Sequence, residues 1–254
     1  MIALVRSEVR KLTSTQVWFW LLLLSTGIIA LFTSLTILTD GGEGNPNPTL
    51  LTGEGQRNLL SITGFAGVFA ALLGIIGITA EYRHLTITPT FLATPRRNRV
   101  VIAKLATYFL VGVGYAVVGA LVLAAISLPW LSARHIEIEY TANHLPQVLL
   151  ATMLGVAIYG LLGVGLGVLI RNQVAAVVLL LVEVFVIESL LANLPWTRDH
   201  LAKWLPGQAA SALSETYSQN TTLLEPWQGG LLLVGYGLAF ALLGMVLTTG
   251  RDVT

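Results

Sequence analysis

Six long apolar runs constrain the fold of this chain more than any other feature of its sequence. Each reaches the roughly 20 mainly apolar residues that a membrane-spanning helix needs. Inside a bilayer the backbone groups must be hydrogen-bonded within the protein, so segments of this kind form helices. The sequence predicts an all-α membrane protein, a single domain over 1–254, with six transmembrane helices at about 17–38, 59–80, 104–130, 147–169, 174–194 and 228–249.

Composition excludes several other classes of protein. Only 11% of the residues are charged, against about 25% in a soluble domain. The chain has no cysteine, so thiolate metal sites and disulfides are excluded. The four histidines stand without metal-ligand spacing, and no phosphate-binding glycine loop occurs. We therefore expect no catalytic residue, metal or cofactor site in this chain, and the dispersed cations give no reason to expect a nucleic-acid partner.

The distribution of lysine and arginine predicts the orientation in the membrane, because cytoplasmic connections carry an excess of both. With both termini in the cytoplasm, only four of these residues lie outside, namely Arg57, Arg134, Arg198 and Lys203. The other ten lie inside: Arg6, Arg10, Lys11, Arg83, Arg96, Arg97, Arg99, Lys104, Arg171 and Arg251. An N-in, C-in topology is predicted.

The segment 1–15 precedes the first apolar run and is amphipathic. Ile2, Val5, Val9 and Leu12 fall on one helical face, with the cations of the segment away from it. A helix of this kind lies in the membrane interface with its cations among the headgroups. We expect an interfacial helix that anchors the topology or contacts a cytoplasmic partner.

Two outer connections differ in kind. Residues 39–58 are rich in Gly, Pro and Asn and predict an irregular loop. The segment 195–227 predicts short amphipathic extracytoplasmic helices that are interrupted at Pro206-Gly207.

Two carboxylates, Glu183 and Glu188, lie in the fifth apolar run. At 100° per residue their side chains point about 140° apart, so an ideal α-helix cannot pair them. A charge within a span is costly and must face protein or water, or be protonated. Both are candidates for a translocation path or proton relay, with Glu183 preferred because it is nearer the middle of the run. The alternative is a protonated or hydrogen-bonded packing group.

Glycines recur in the spans, and Gly163 and Gly167 have the G-x-x-x-G spacing at which helices approach closely. Packing within the chain is the favoured interpretation, and a dimer interface is the alternative.

The connector 81–99, EYRHLTITPTFLATPRRNR, combines cations with an uncharged middle. The positive-inside rule accounts for its arginines. It does not account for the uncharged residues, which predict a short cytoplasmic helix that ends before Pro95.

The stretch TAEYRHLTITPTFLATPRRNRVVIAKL, residues 79–105, resembles the E-Y-R-x-G-T and L-A-T-P-x-R pattern of ABC-2 type permeases. Glu8 and Lys11, spaced E-x-x-K, and LPGQAASAL at 205–213 are similar to the same family. The resemblance implies an elbow helix at 1–15 and, within the connector 81–99, a coupling helix at 81–95 that docks on an ATP-binding subunit. The docking residues it implies are Glu8, Lys11, Glu81, Tyr82, Arg83, His84, Thr86, Thr90 and Phe91.

The function implied is that of a permease subunit in a bacterial plasma membrane, most often an exporter of small molecules, lipids or peptides. Two ATP-binding subunits would hold ATP and Mg, and a second permease subunit, identical or paralogous, would complete the transporter among membrane lipids. Two alternatives remain open: a proton-coupled carrier that uses Glu183, and a membrane scaffold or assembly factor without transport.

Overall fold

The described part of the chain folds as a series of helices whose ends follow the apolar runs. The computed structural model describes residues 2–42, 45, 47–83, 97–141, 143–215 and 223–249. No strand occurs among these residues. The α-helices are α1 (Ile2–Thr13), α2 (Val17–Thr39), α3 (Gly53–Ser61), α4 (Ala66–Arg83), α5 (Arg97–Ala133), α6 (Leu145–Ile170), α7 (Gln173–Val182), α8 (Glu188–Asn193), α9 (Pro195–His200), α10 (Pro206–Leu213) and α11 (Pro226–Thr249).

Five helical segments are long and apolar enough to cross a membrane, which confirms the prediction of a multi-pass, all-helical membrane protein. They are Val17–Thr39, Gly53–Arg83, Arg99–Ala133, Leu145–Ile170 and Gln173–Asn193. Helix α11, with 24 residues, occupies the place of the sixth apolar run. That it forms a sixth span stays a prediction, as does the N-in, C-in topology.

Helix α6 is the central helix of the fold and packs against α4, α5 and α11. Most of its residues are buried. Its glycines permit the close packing: a Cβ on Gly163 would collide with the backbone of Ala71 in α4, and one on Gly74 would lie 2.7 Å from the carbonyl oxygen of Gly160. The small residues of these two spans therefore pack helices within the chain, as predicted.

The second span is longer than predicted, because its helix begins within the segment that the sequence indicated as an irregular loop. Thr52 caps α3 by accepting a hydrogen bond from the backbone N–H of Gly55. A short 3₁₀ segment, Ile62–Phe65, then joins α3 to α4. The cap satisfies a free helical N–H group and allows the helix to start at Gly53.

The fifth span contains one turn of π-helix, Glu183–Ile187, between α7 and α8. After α8 the chain forms the short helix α9, a 3₁₀ turn at Ala202–Trp204, and α10. Short helices in this segment were predicted. The break lies at Leu205, which is extended, and Pro206 then starts α10, a position that suits proline because the first helical N–H has no partner.

Several predictions fall outside the described residues. These include the coupling helix itself, with His84, Thr86, Thr90 and Phe91, and the part of the 195–227 segment at 216–222.

Candidate functional site

Four charged side chains from three helices form an ion cluster where α1, α4 and α5 meet. Lys104 of α5 donates hydrogen bonds to Oε2 of Glu8 and to Oε1 of Glu81, the latter at 3.0 Å. Lys11 of α1 donates to Oε1 of Glu8 at 2.8 Å and to Oε1 of Glu81 at 2.7 Å. Two carboxylates and two ammonium groups make the cluster electrically balanced.

The cluster is mostly shielded from solvent. Lys104 is 1% exposed, Glu8 and Glu81 are each 6% exposed, and only Lys11 keeps about half of its side chain accessible. Buried charges of this kind are stable only when they are paired and hydrogen-bonded. Breaking one pair therefore leaves an uncompensated charge inside the protein.

The pKa values of the two α1 residues reflect this pairing. Burial acts to raise the pKa of Glu8, but the attraction and hydrogen bonds of Lys104 and Lys11 outweigh it, and the pKa lies below the usual value. Burial acts to lower the pKa of Lys11, but its hydrogen bonds with Glu8 and Glu81 outweigh that effect, and the pKa is raised. Both residues are therefore charged at neutral pH.

The cluster fastens α1 to the two helices that flank the connector 84–96. Glu81 lies in the last turn of α4, and Lys104 lies in the second turn of α5. Glu8, Lys11 and Glu81 were predicted as docking residues, and the structure brings them together in contacts within the chain. Lys104 was missed, although a lysine inside a predicted span is a signal that it needs an acidic partner.

Tyr82 and Arg83 take different positions beside the cluster. The guanidinium of Arg171, from the α6–α7 connection, lies 5.8 Å from the centre of the Tyr82 ring. Arg83 ends α4 and is exposed. The contact places the α4–α5 and α6–α7 connections at the same end of the bundle, as a topology with both on one side of the membrane requires.

A second polar cluster joins Glu183 and Glu188, and it corrects the prediction that one helix cannot pair them. In the π-helical turn the backbone N–H of Glu188 donates to the carbonyl oxygen of Glu183, an i to i+5 bond that adds a residue to the turn. The residue five positions on then returns to nearly the same face. The carboxyl groups of Glu183 and Glu188 therefore interact with each other.

Glu188 also contacts α10. The backbone N–H of Gly207 donates to its Oε1 at 2.5 Å, so the carboxyl satisfies one of the unpaired N–H groups in the first turn of that helix. Glu188 is 9% exposed and Glu183 is less buried, with no partner for its Oε1 in the described part of the chain. The more enclosed of the two carboxyls is therefore Glu188.

A cavity of about 240 Å³ lies beside Glu188, between the 3₁₀ turn after α3, α6 and α10. Its lining is largely of small and hydroxyl-bearing residues, including Ser61, Thr152, Tyr159, Ser211 and Ser214. Glu183 does not line it. Of the two carboxyls, Glu188 alone borders this space inside the bundle.

Within the described ranges, no group of three or more histidine, aspartate or glutamate side chains is placed to hold a metal ion. Comparison of the chain with models of known protein families gave no match, and comparison with curated protein sequences gave none either. The functional interpretation therefore depends on the two clusters and on the sequence of residues 79–105.

Proposed function

We propose that this chain is the membrane-spanning subunit of an ATP-driven transporter of the ABC-2 type. The proposal is supported by the resemblance of residues 79–105 to the sequence pattern of that family. These residues comprise the end of α4, the connector and the start of α5. The structural observation that carries the proposal is the ion cluster of Glu8, Lys11, Glu81 and Lys104.

The cluster has the geometry that mechanical coupling needs. A force applied to the connector reaches the end of α4 and the start of α5, and the cluster ties both of these ends to α1. Buried, paired charges resist separation because each would be left unpaired. A docked partner would therefore move α1, α4 and α5 together, and α4 and α5 pack on the central helix α6.

In this proposal the docking surface is formed by the connector and by exposed side chains at its edges, while Glu8 and Glu81 set its position from inside. The ATP-binding subunits hydrolyse ATP, a second permease subunit completes the transporter, and the chain supplies no catalytic group. Export of a small molecule, lipid or peptide is the direction proposed, in a bacterial plasma membrane.

The test is copurification of an ATP-binding polypeptide with a tagged chain from membranes of the native host, detected by photolabelling with radiolabelled azido-ATP. Arg83→Glu and Arg99→Glu are a matched pair, since both residues are exposed and flank the connector. We expect Arg83→Glu to reduce the labelled polypeptide and Arg99→Glu, which we assign to lipid headgroups, to leave it unchanged. Absence of any labelled polypeptide with the unaltered chain would reject the proposal.

The Glu183–Glu188 pair supports a second candidate, a carrier coupled to protons. Two neighbouring carboxyl groups within one span, one of which lines a cavity inside the bundle, can carry a proton when the cavity changes access. The test is proton uptake into vesicles that contain the purified chain alone, followed with a pH-sensitive dye after an imposed pH gradient. Uptake that Glu183→Gln abolishes would favour this candidate over the ATP-driven transporter.

A further inference from the structure

Among the residues that the structure describes, one carboxylate oxygen of the ion cluster has no hydrogen-bond partner. Both ammonium groups that reach Glu81, from Lys11 and Lys104, bind its Oε1. Its Oε2 is buried and accepts no hydrogen bond from any residue that the structure describes. An unpaired buried charge-bearing oxygen is costly, so this atom calls for a hydrogen-bond donor that none of the described residues supplies.

A cavity of about 400 Å³ lies against this carboxylate, between α1, α4 and α5. Glu8, Lys11, Glu81 and Tyr108 form its polar end. The rest of the lining is mainly apolar and includes Leu12, Val17, Leu73, Ile76 and Ala80. A charged end joined to an apolar wall is the pattern that recognises an amphiphile.

The position of the cavity fits a lipid rather than a water-soluble ligand. Its polar end lies two residues before the last residue of α4, where that span ends. Helix α1, which forms one wall, exposes the apolar residues Ile2 and Val9 and carries Arg6, Arg10 and Lys11. A helix with these two faces lies at the headgroup boundary of a bilayer, so the cavity opens where lipid headgroups meet acyl chains.

The charges select among lipid headgroups. Glu81 Oε2 needs a cationic or neutral N–H or O–H donor, and the half-exposed ammonium of Lys11 offers a contact for a phosphate. We propose that this cavity is a binding site for phosphatidylethanolamine, with the lipid ammonium on Glu81 Oε2, the phosphate near Lys11 and an acyl chain along Ile76 and Ala80. Phosphatidylcholine carries the same phosphate, but its quaternary ammonium has no N–H to donate.

The test is native mass spectrometry of the purified, delipidated chain after addition of phosphatidylethanolamine, phosphatidylcholine or phosphatidylglycerol with identical acyl chains. A charge-assisted hydrogen bond predicts about tenfold tighter retention of phosphatidylethanolamine than of phosphatidylcholine. Equal retention of these two lipids, or stronger retention of phosphatidylglycerol, would overturn the proposal. This comparison uses the unaltered protein and does not depend on any variant folding.

A matched pair of variants locates the site. Ile76→Trp fills the apolar part of the cavity without touching the ion cluster, whereas Ile102→Trp adds the same bulk at an exposed position of α5 outside the lining. We expect Ile76→Trp to reduce phosphatidylethanolamine retention to the phosphatidylcholine level and Ile102→Trp to leave it unchanged. If Ile76→Trp instead separates a dimer into monomers without changing lipid retention, the cavity is a subunit interface and the proposal fails.

Discussion

The Nζ atom of Lys104 lies 3.0 Å from Oε1 of Glu81, so a buried ion pair joins the start of α5 to the end of α4. The two residues are separated by 23 positions, and the connector 84–96 lies between them. Lys104 also binds Glu8 of α1. One lysine therefore holds together the three helices at one end of the bundle.

Replacing Lys104 with methionine should strongly destabilise the protein, because two buried carboxylates would lose the buried one of the two cations that they share. Removal of one partner from a buried ion pair costs about 3–5 kcal/mol. The thermal unfolding midpoint in detergent measures the effect. Lys11→Met is the control, since Lys11 is half exposed and Lys104 still pairs both carboxylates. Equal losses for the two variants would show that burial does not control the strength of the cluster.

The attachment of α1 should depend on pH at both extremes. The pKa of Glu8 is lowered from 4.5, so its contribution to stability is present above that value and is lost as pH falls through the lowered pKa. The pKa of Lys11 is raised from 10.5, so its contribution is present below that value and is lost as pH rises through the raised pKa. We expect the second loss to be the smaller, because Lys11 is half exposed.

A fluorophore attached through Thr13→Cys, at the exposed end of α1, would report the detachment of α1 from α4 and α5 as these contributions are lost. Glu8→Gln should remove the acid transition and leave the alkaline one. An acid transition that persists in Glu8→Gln would assign it to another group.

Glu188→Leu should loosen α10, since the backbone N–H of Gly207 would lose its acceptor. An unsatisfied buried donor costs about 1–3 kcal/mol. Hydrogen–deuterium exchange of a peptide covering α10 should accelerate in this variant and much less in Glu188→Gln, whose amide oxygen can still accept. Unchanged exchange in Glu188→Leu would show that the bond does not hold α10 in place.

Gly163→Ala should destabilise the contact between α4 and α6, because its Cβ would collide with the backbone of Ala71. Overpacking of this kind costs about 1–3 kcal/mol. Gly27→Ala in α2 is the matched control: nothing lies within 4 Å of its Cβ position. There alanine should be neutral or should stabilise the helix by about 0.5–1 kcal/mol. Thermal unfolding of both variants decides whether the close approach of the α4 backbone explains why position 163 is a glycine.

The predicted topology can be tested with single cysteines, because the chain contains none. Thr39→Cys and Thr141→Cys should react with an impermeant thiol reagent added to intact cells, and Asn98→Cys should react only after the membrane is opened. The expectation follows from the ten-to-four distribution of lysine and arginine. Reaction at position 98 in intact cells would show that the orientation is the opposite one and that the connector does not lie in the cytoplasm.

The sequence by itself predicted five helical segments that are long and apolar enough to cross a membrane, since the length of an apolar run and the absence of water in a bilayer together require a helix. The predicted run 17–38 became Val17–Thr39, and 147–169 became Leu145–Ile170. The amphipathic pattern likewise predicted a helix over 1–15, and α1 spans Ile2–Thr13. Local capping was harder to anticipate: Thr52 extended the second span into a predicted loop.

Only the tertiary structure decided the polar contacts. Glu8 and Lys104 are 96 residues apart in sequence, and no periodicity reveals which buried cation meets which carboxylate, because the pairing depends on how α1 packs against α5. Glu183 and Glu188 are close in sequence, yet ideal helix geometry separates them. One π-helical turn brings them closer together. The carboxyl group of Glu188 also accepts a hydrogen bond from the backbone N–H of Gly207 in another helix, α10.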